Sequence, residues 1–194
     1  MVTTDKMIRT IWITIALVLL MTLTRFNHFG SSVSLPDASY AVFFLGGLYL
    51  GRVRAALAIL ALLMFEASLI DFYAINFQGI SSYCVTSAYS FLVFAYGSLW
   101  LGGKWMASYS DASISGFAKL ILGSAVAGAV AFIIANMSFY LLAGYFDTMS
   151  IMEYISRVSQ YFGSYVAITT MYVGIAISIQ FISNIGIHIN KNVN

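Results

Sequence analysis

From Lys6 to Phe26 the chain reads KMIRTIWITIALVLLMTLTRF, and no residue between Ile11 and Leu23 carries a charge. Apolar runs like this recur along the chain, and they narrow its folds more than any other feature. A helix crosses a bilayer with about 20 mostly apolar residues, and the run from Ile11 approaches that alone. Composition agrees: of 194 residues 61% are hydrophobic and 8% charged, against about 25% charged in soluble domains. Lys6 and Arg9 precede the run as in a secretory signal. No small-residue cleavage site follows before Arg25, Asn27 and His28, so the stretch reads as a retained first helix.

Further candidates bring the expected spans to 7–29, 35–51, 53–75, 84–103, 116–145 and 159–187. The expectation is one domain, residues 1–194: an all-α polytopic membrane protein, a compact bundle of six transmembrane helices. The second is the weakest, firmly apolar only from Tyr40 to Leu50. The fifth exceeds one span, so it projects from the bilayer or breaks near Asn136. Cationic residues orient such a chain. With a cytoplasmic N-terminus, the inside receives Lys6, Arg9, Arg52, Arg54, Lys104, Lys119 and Lys191, and the outside only Arg25 and Arg157. Both termini are then cytoplasmic. The acids Asp37, Asp71, Asp147 and Glu153 fall outside.

Several functions are excluded. A single Cys allows no intramolecular disulfide and no all-cysteine metal site. His28 and His188 lie at opposite ends of the chain, which argues against a zinc or iron cluster. A dispersed net charge of +2 does not suit nucleic acid. No Walker-type phosphate loop is present, so the chain does not itself hydrolyse ATP.

The one cysteine lies in QGISSYCVTSAY, residues 78–89. Ser81 and Ser82 are good N-caps for the fourth helix. That would put Cys84 in its first turn, where the helix dipole lowers a thiol's pKa. Helical spacing would place Ser87, Ala88 and Phe91 on the same face, leaving room above two small side chains. A buried filler cysteine is the plain alternative.

Intramembrane acids are costly and point to function. Asp71, near the outer end of the third helix, shares a level with Cys84, though a solvated helix end would look the same. Glu66 lies deeper, where a hydrogen bond to a neighbouring helix is the expected role. Tyr73, Tyr83, Tyr89, Tyr145, Tyr154, Tyr161 and Tyr165 concentrate toward the outer level. They fit an interfacial belt, or the walls of a pocket for a large, flat, amide-rich molecule. Trp100 and Trp105 are expected as anchors at the inner interface. Arg25 and Arg157 can pair a ligand phosphate or a carboxylate, and Glu153 offers Arg157 a local partner. His28 is a candidate ligand or base. In GSAVAGAVA, Gly123 with Ala127 and Ser124 with Gly128 give spacing for close helix packing.

Six short helices and an outward pocket resemble the substrate-binding S-components of energy-coupling-factor vitamin transporters. Within that group LIDFYAINFQGISSYCVTSAYSFL, residues 69–92, resembles the BtuM family of small cobalamin transporters through Asp71, Cys84 and Tyr89. The resemblance implies uptake of cobalamin across a bacterial cytoplasmic (inner) membrane. It implies that the Cys84 sulfur coordinates the corrinoid's cobalt, the ligand bringing its own metal, with Asp71 and Tyr89 lining the pocket and assisting. Tyr83, Arg157 and His28 are the further candidate binding residues. Sulfur ligation requires an axial group to leave, which for a cyanide-bearing corrinoid would couple binding to decyanation. S-components carry an Ala-xxx-Ala pattern in helix one, whereas here Ala16 is followed four residues later by Leu20. Docking on an energising ATPase module is therefore in doubt. Three alternatives stay open: an S-component for another vitamin that depends on such a module, a membrane thiol enzyme with Cys84 as nucleophile and His28 as base, and a purely structural membrane subunit.

Overall fold

The computed structural model describes residues 2–25, 35–109 and 113–192. Among these all regular structure is helical, with six α-helices in sequence: α1 (Val2–Arg25), α2 (Ser39–Leu50), α3 (Ala56–Phe77), α4 (Leu92–Met106), α5 (Ile114–Leu142) and α6 (Ile151–Asn192). Four contain stretches long and apolar enough to cross a membrane: Thr4–Arg25, Ala56–Phe77, Ile114–Leu142 and Ile151–Ile182. With 12 and 15 residues, α2 and α4 reach only about 18 and 22 Å at 1.5 Å per residue. The expected six helices are present, but only four have the dimensions of a span.

The shortness of α2 follows from its place. Ten of its residues are buried, Ala41, Val42, Phe43 and Phe44 completely. A helix apolar all round belongs inside a protein, and α2 packs against α1, α3, α4, α5 and α6. Its closest partner is α4. Phe43 stacks on Tyr96 at 4.1 Å, Gly47 meets the Trp100 backbone, and Gly51 meets the Lys104 side chain. These pairs advance one turn at a time on both helices, so α2 and α4 run parallel. A β-carbon on Gly47 would overlap the Trp100 carbonyl oxygen, and one on Gly103 would overlap that of Phe44. Only glycine lets two helix backbones touch this way.

Trp100 is accordingly a core residue, 3% exposed, lying over Gly46 and Gly47. This corrects its expected role as an interfacial anchor. Trp105, by contrast, is 68% exposed. The small residues of α5 also face inward: Gly123 abuts Met106, Ala127 lies under Gly102, and Gly128 faces Thr169 of α6. There is no break at Asn136, whose Nδ2 donates to the Phe132 carbonyl 2.9 Å away within an unbroken α5. The sixth helix begins at Ile151, eight residues before its expected start, and its added turns flank the cavity described below.

Two further expectations resolve along α1 and α3. Thr22 Oγ1 donates to Glu66 Oε1 at 2.7 Å, the neighbouring-helix bond foreseen for that acid. At the C-terminal end of α1, Arg25 gathers α1, α2, α3 and α4 at one pole. The opposite pole carries Lys104 against Gly51, and Arg52 Nη2 donating to Ser108 Oγ at 2.6 Å.

Candidate functional site

Arg25 is 7% exposed, which demands nearly complete pairing of its guanidinium. Its Nε donates to Asp71 Oδ1 at 2.8 Å and its Nη2 to Asp71 Oδ2 at 2.6 Å, a two-pronged bond across α1 and α3. Nη1 donates to Ser39 Oγ at 2.8 Å and to the Tyr96 hydroxyl at 3.1 Å. Asp37 adds a second carboxylate 3.8 Å away. Asp37 also accepts from the backbone N–H and the hydroxyl of Ser39, at 2.9 and 2.6 Å, and so shapes the start of α2. Tyr89 completes the set by donating to Asp71 Oδ2 at 2.8 Å. Both oxygens of Asp71 are thus engaged, and the carboxylate reaches the cavity as the hub of a network that fixes Tyr89.

The segment between α3 and α4 departs from the expected helix start at Cys84. Gly79, at φ 69°, turns the chain out of α3 in a conformation that suits glycine. One short 3₁₀ turn covers Ser82–Cys84 and another Ser87–Phe91, with α4 starting only at Leu92. Ser81 Oγ caps the first turn by accepting from the Tyr83 N–H, and Thr86 Oγ1 the second by accepting from the Ala88 N–H. Serine and threonine offer the backbone such local bonds in place of helical ones, and their density here divides the segment into two short turns. Ser87 Oγ then donates to the Leu142 carbonyl, tying the second turn to the end of α5.

This alters the chemistry of Cys84. It sits at the end of a single turn, not at the N-terminus of a long helix, and Ser87 and Phe91 belong to a separate turn. Partial burial in the cavity wall, and secondarily the Asp71 carboxylate, push its thiol above the ordinary range. The expected lowering by a helix dipole is overturned. The sulfur is nevertheless exposed and lines the same cavity as Arg25, Asp71 and Tyr89.

That cavity measures about 580 Å³, within the range of small-molecule sites. Tyr40 and Tyr96 contribute from the buried α2–α4 side, and Tyr154, Arg157 and Tyr161 from α6. Tyr83 stacks on Tyr145 at 4.6 Å and meets Phe139 edge-on at 5.7 Å. The loop carrying Tyr145 and Phe146 leaves α5 through Gly144, at φ 74°. Arg157 donates to Glu153 at 2.8 Å in a pair exposed on both sides, the local partner foreseen for it and of small energetic weight.

Cys84, Asp71, Tyr89, Tyr83 and Arg157 therefore share one cavity, while His28 lies outside the described residues. Tyr96 was not singled out from the sequence, since it looks like any aromatic in an apolar helix. Arg25 was singled out as able to pair a carboxylate, and Asp71 is that partner. Comparison with protein-family models and with curated proteins finds no match for the chain.

Proposed function

We propose that this protein takes up a corrinoid such as cobalamin across a bacterial cytoplasmic membrane, with the Cys84 sulfur as the ligand of the incoming cobalt. One observation carries the reading. An exposed thiol and the Arg25–Asp71–Tyr89 network open onto a single aromatic-walled cavity in a chain with four membrane-length helices. A soft sulfur donor suits a transition metal, and the cargo brings that metal with it. Aromatic walls suit the flat macrocycle, while Asn136 and Gln160 on the lining offer partners for peripheral amides. A corrinoid would place one face in the cavity and leave the rest beyond its mouth. In this reading six helices cross or line the membrane as an S-component-like bundle, the cavity faces outward, and both termini lie in the cytoplasm. The cations of the opposite pole support that orientation. Ala16 followed four residues later by Leu20 departs from the docking pattern and argues against an energising ATPase module.

The test is an absorption spectrum of protein purified from cells supplied with cyanocobalamin. The parent is expected to retain corrinoid with bands shifted from those of the cyanide-bound form. Cys84→Ser is expected to lose the corrinoid or to hold it with unshifted bands. A parent that retains none sinks the proposal and favours another vitamin. Turnover of an electrophilic substrate by Cys84 would favour the thiol enzyme.

A pH dependence follows from the raised thiol. For a corrinoid whose axial water leaves, cobalt replaces the thiol proton and ligation releases one proton per site, whereas a departing cyanide would carry that proton away as hydrogen cyanide. Below the pKa of Cys84, corrinoid affinity should rise about tenfold per pH unit and level off above it. Because burial and Asp71 raise that pKa, the climb should extend past the range of an ordinary cysteine. Equilibrium binding of a water-bearing corrinoid across pH checks this, and in Cys84→Ser the slope should vanish.

A further inference from the structure

A second cavity, about 520 Å³, runs between α4 and α5 away from the candidate site. It extends from Ser98 to Met106 on α4 and from Lys119 to Val130 on α5, roughly 16 Å at 1.5 Å per residue. Its walls are apolar. Leu122, Val126 and Val130 are 65%, 57% and 42% exposed, and the Ser98 hydroxyl is spent on the Ala95 carbonyl of its own helix. At one end the lining turns amphipathic: Trp105 packs edge-on against Tyr109 at 6.1 Å, and Lys119 Nζ lies 6.0 Å from the Tyr109 ring centre. Among the described residues no acid lines the groove.

We propose that this groove holds a phospholipid with a net negative headgroup, one acyl chain lying along α4 and α5 and the phosphate paired with Lys119. A straight apolar channel suits a chain, and Trp and Tyr at one end mark the headgroup level. Lys119 supplies the charge complement. A partner helix fits less well, because the small residues that would admit one are already used. Gly123 is covered by Met106, and Ala127 lies under Gly102. The inference requires only that these helices lie in a membrane and is independent of the corrinoid reading.

Native mass spectrometry of the full chain in detergent, titrated with phosphatidylglycerol or phosphatidylcholine, tests it. The parent should retain one phosphatidylglycerol, preferring it about fivefold, as one lysine at a membrane surface provides. Lys119→Gln should lose the preference and keep the chain. Val126→Trp, which fills the groove from an exposed position, should lose both lipids, and Leu122→Trp repeats that test should the first variant fold poorly. The proposal is overturned if the parent retains neither lipid, or if groove-filling variants that melt like the parent bind as much lipid as it does. A dimer that those variants split would overturn it too, since the groove would then be an interface with a second copy.

Discussion

Gly103→Ala and Gly47→Ala should each destabilise the protein by about 3 kcal/mol or more, at the upper end of overpacking costs. Each new methyl meets backbone: the Phe44 carbonyl oxygen for Gly103 and the Trp100 carbonyl oxygen for Gly47. No rotamer change relieves such a clash, so α2 must move away from α4. Because α2 is the helix around which the others pack, that shift also disturbs Phe43 on Tyr96 and, through Tyr96, the wall beside Arg25. Gly97→Ala and Gly163→Ala are the controls. Nothing stands within 4 Å of either added carbon, and alanine's helix propensity should leave stability unchanged or raised by up to about 1 kcal/mol. Thermal unfolding in one detergent checks all four. Equal melting of Gly103→Ala and Gly97→Ala would refute the α2–α4 contact.

Asp71→Ala should cost about 3 kcal/mol, the lower end for breaking a buried pair by removing one partner. It leaves the guanidinium of Arg25 with only Asp37 at 3.8 Å as a countercharge. Replacing both partners, as in Arg25→Met with Asp71→Leu, should recover part of the loss because no unpaired charge remains buried. Asp71→Asn separates charge from shape. The Asp71 carboxylate helps hold the Cys84 thiol high, so its neutralisation should lower that pKa. The midpoint of a thiol-alkylation rate plotted against pH should then move to lower pH. An unmoved midpoint would mean that Asp71 and Cys84 do not share a cavity.

The spans of α1, α3 and α5 were legible because hydrophobicity is a local property, read from about 20 residues at a time. The shared level of Asp71, Cys84 and Tyr89 was legible as well, because it needs only the positions of helix ends. The N-terminal turn at Cys84 was not. The same serines that look like helix caps also cap shorter turns, and the choice between them depends on where α5 ends and what Ser87 can reach. Trp100 was misplaced for a related reason. An aromatic near a helix end suits an interface, and only the glycines of α2, some 50 residues earlier, turn that position into core.

By itself, then, the amino-acid order determined that the chain is helical and suited to lipid, and that its lone thiol stands near an acid and a tyrosine. Tertiary structure alone decided which distant charges pair. Arg25 and Asp71 lie 46 residues apart, and their two-pronged bond exists only because α1 and α3 end at one pole. It also decided that burial and a neighbouring carboxylate raise the pKa of Cys84, where the folded segment supplies no long-helix dipole to lower it.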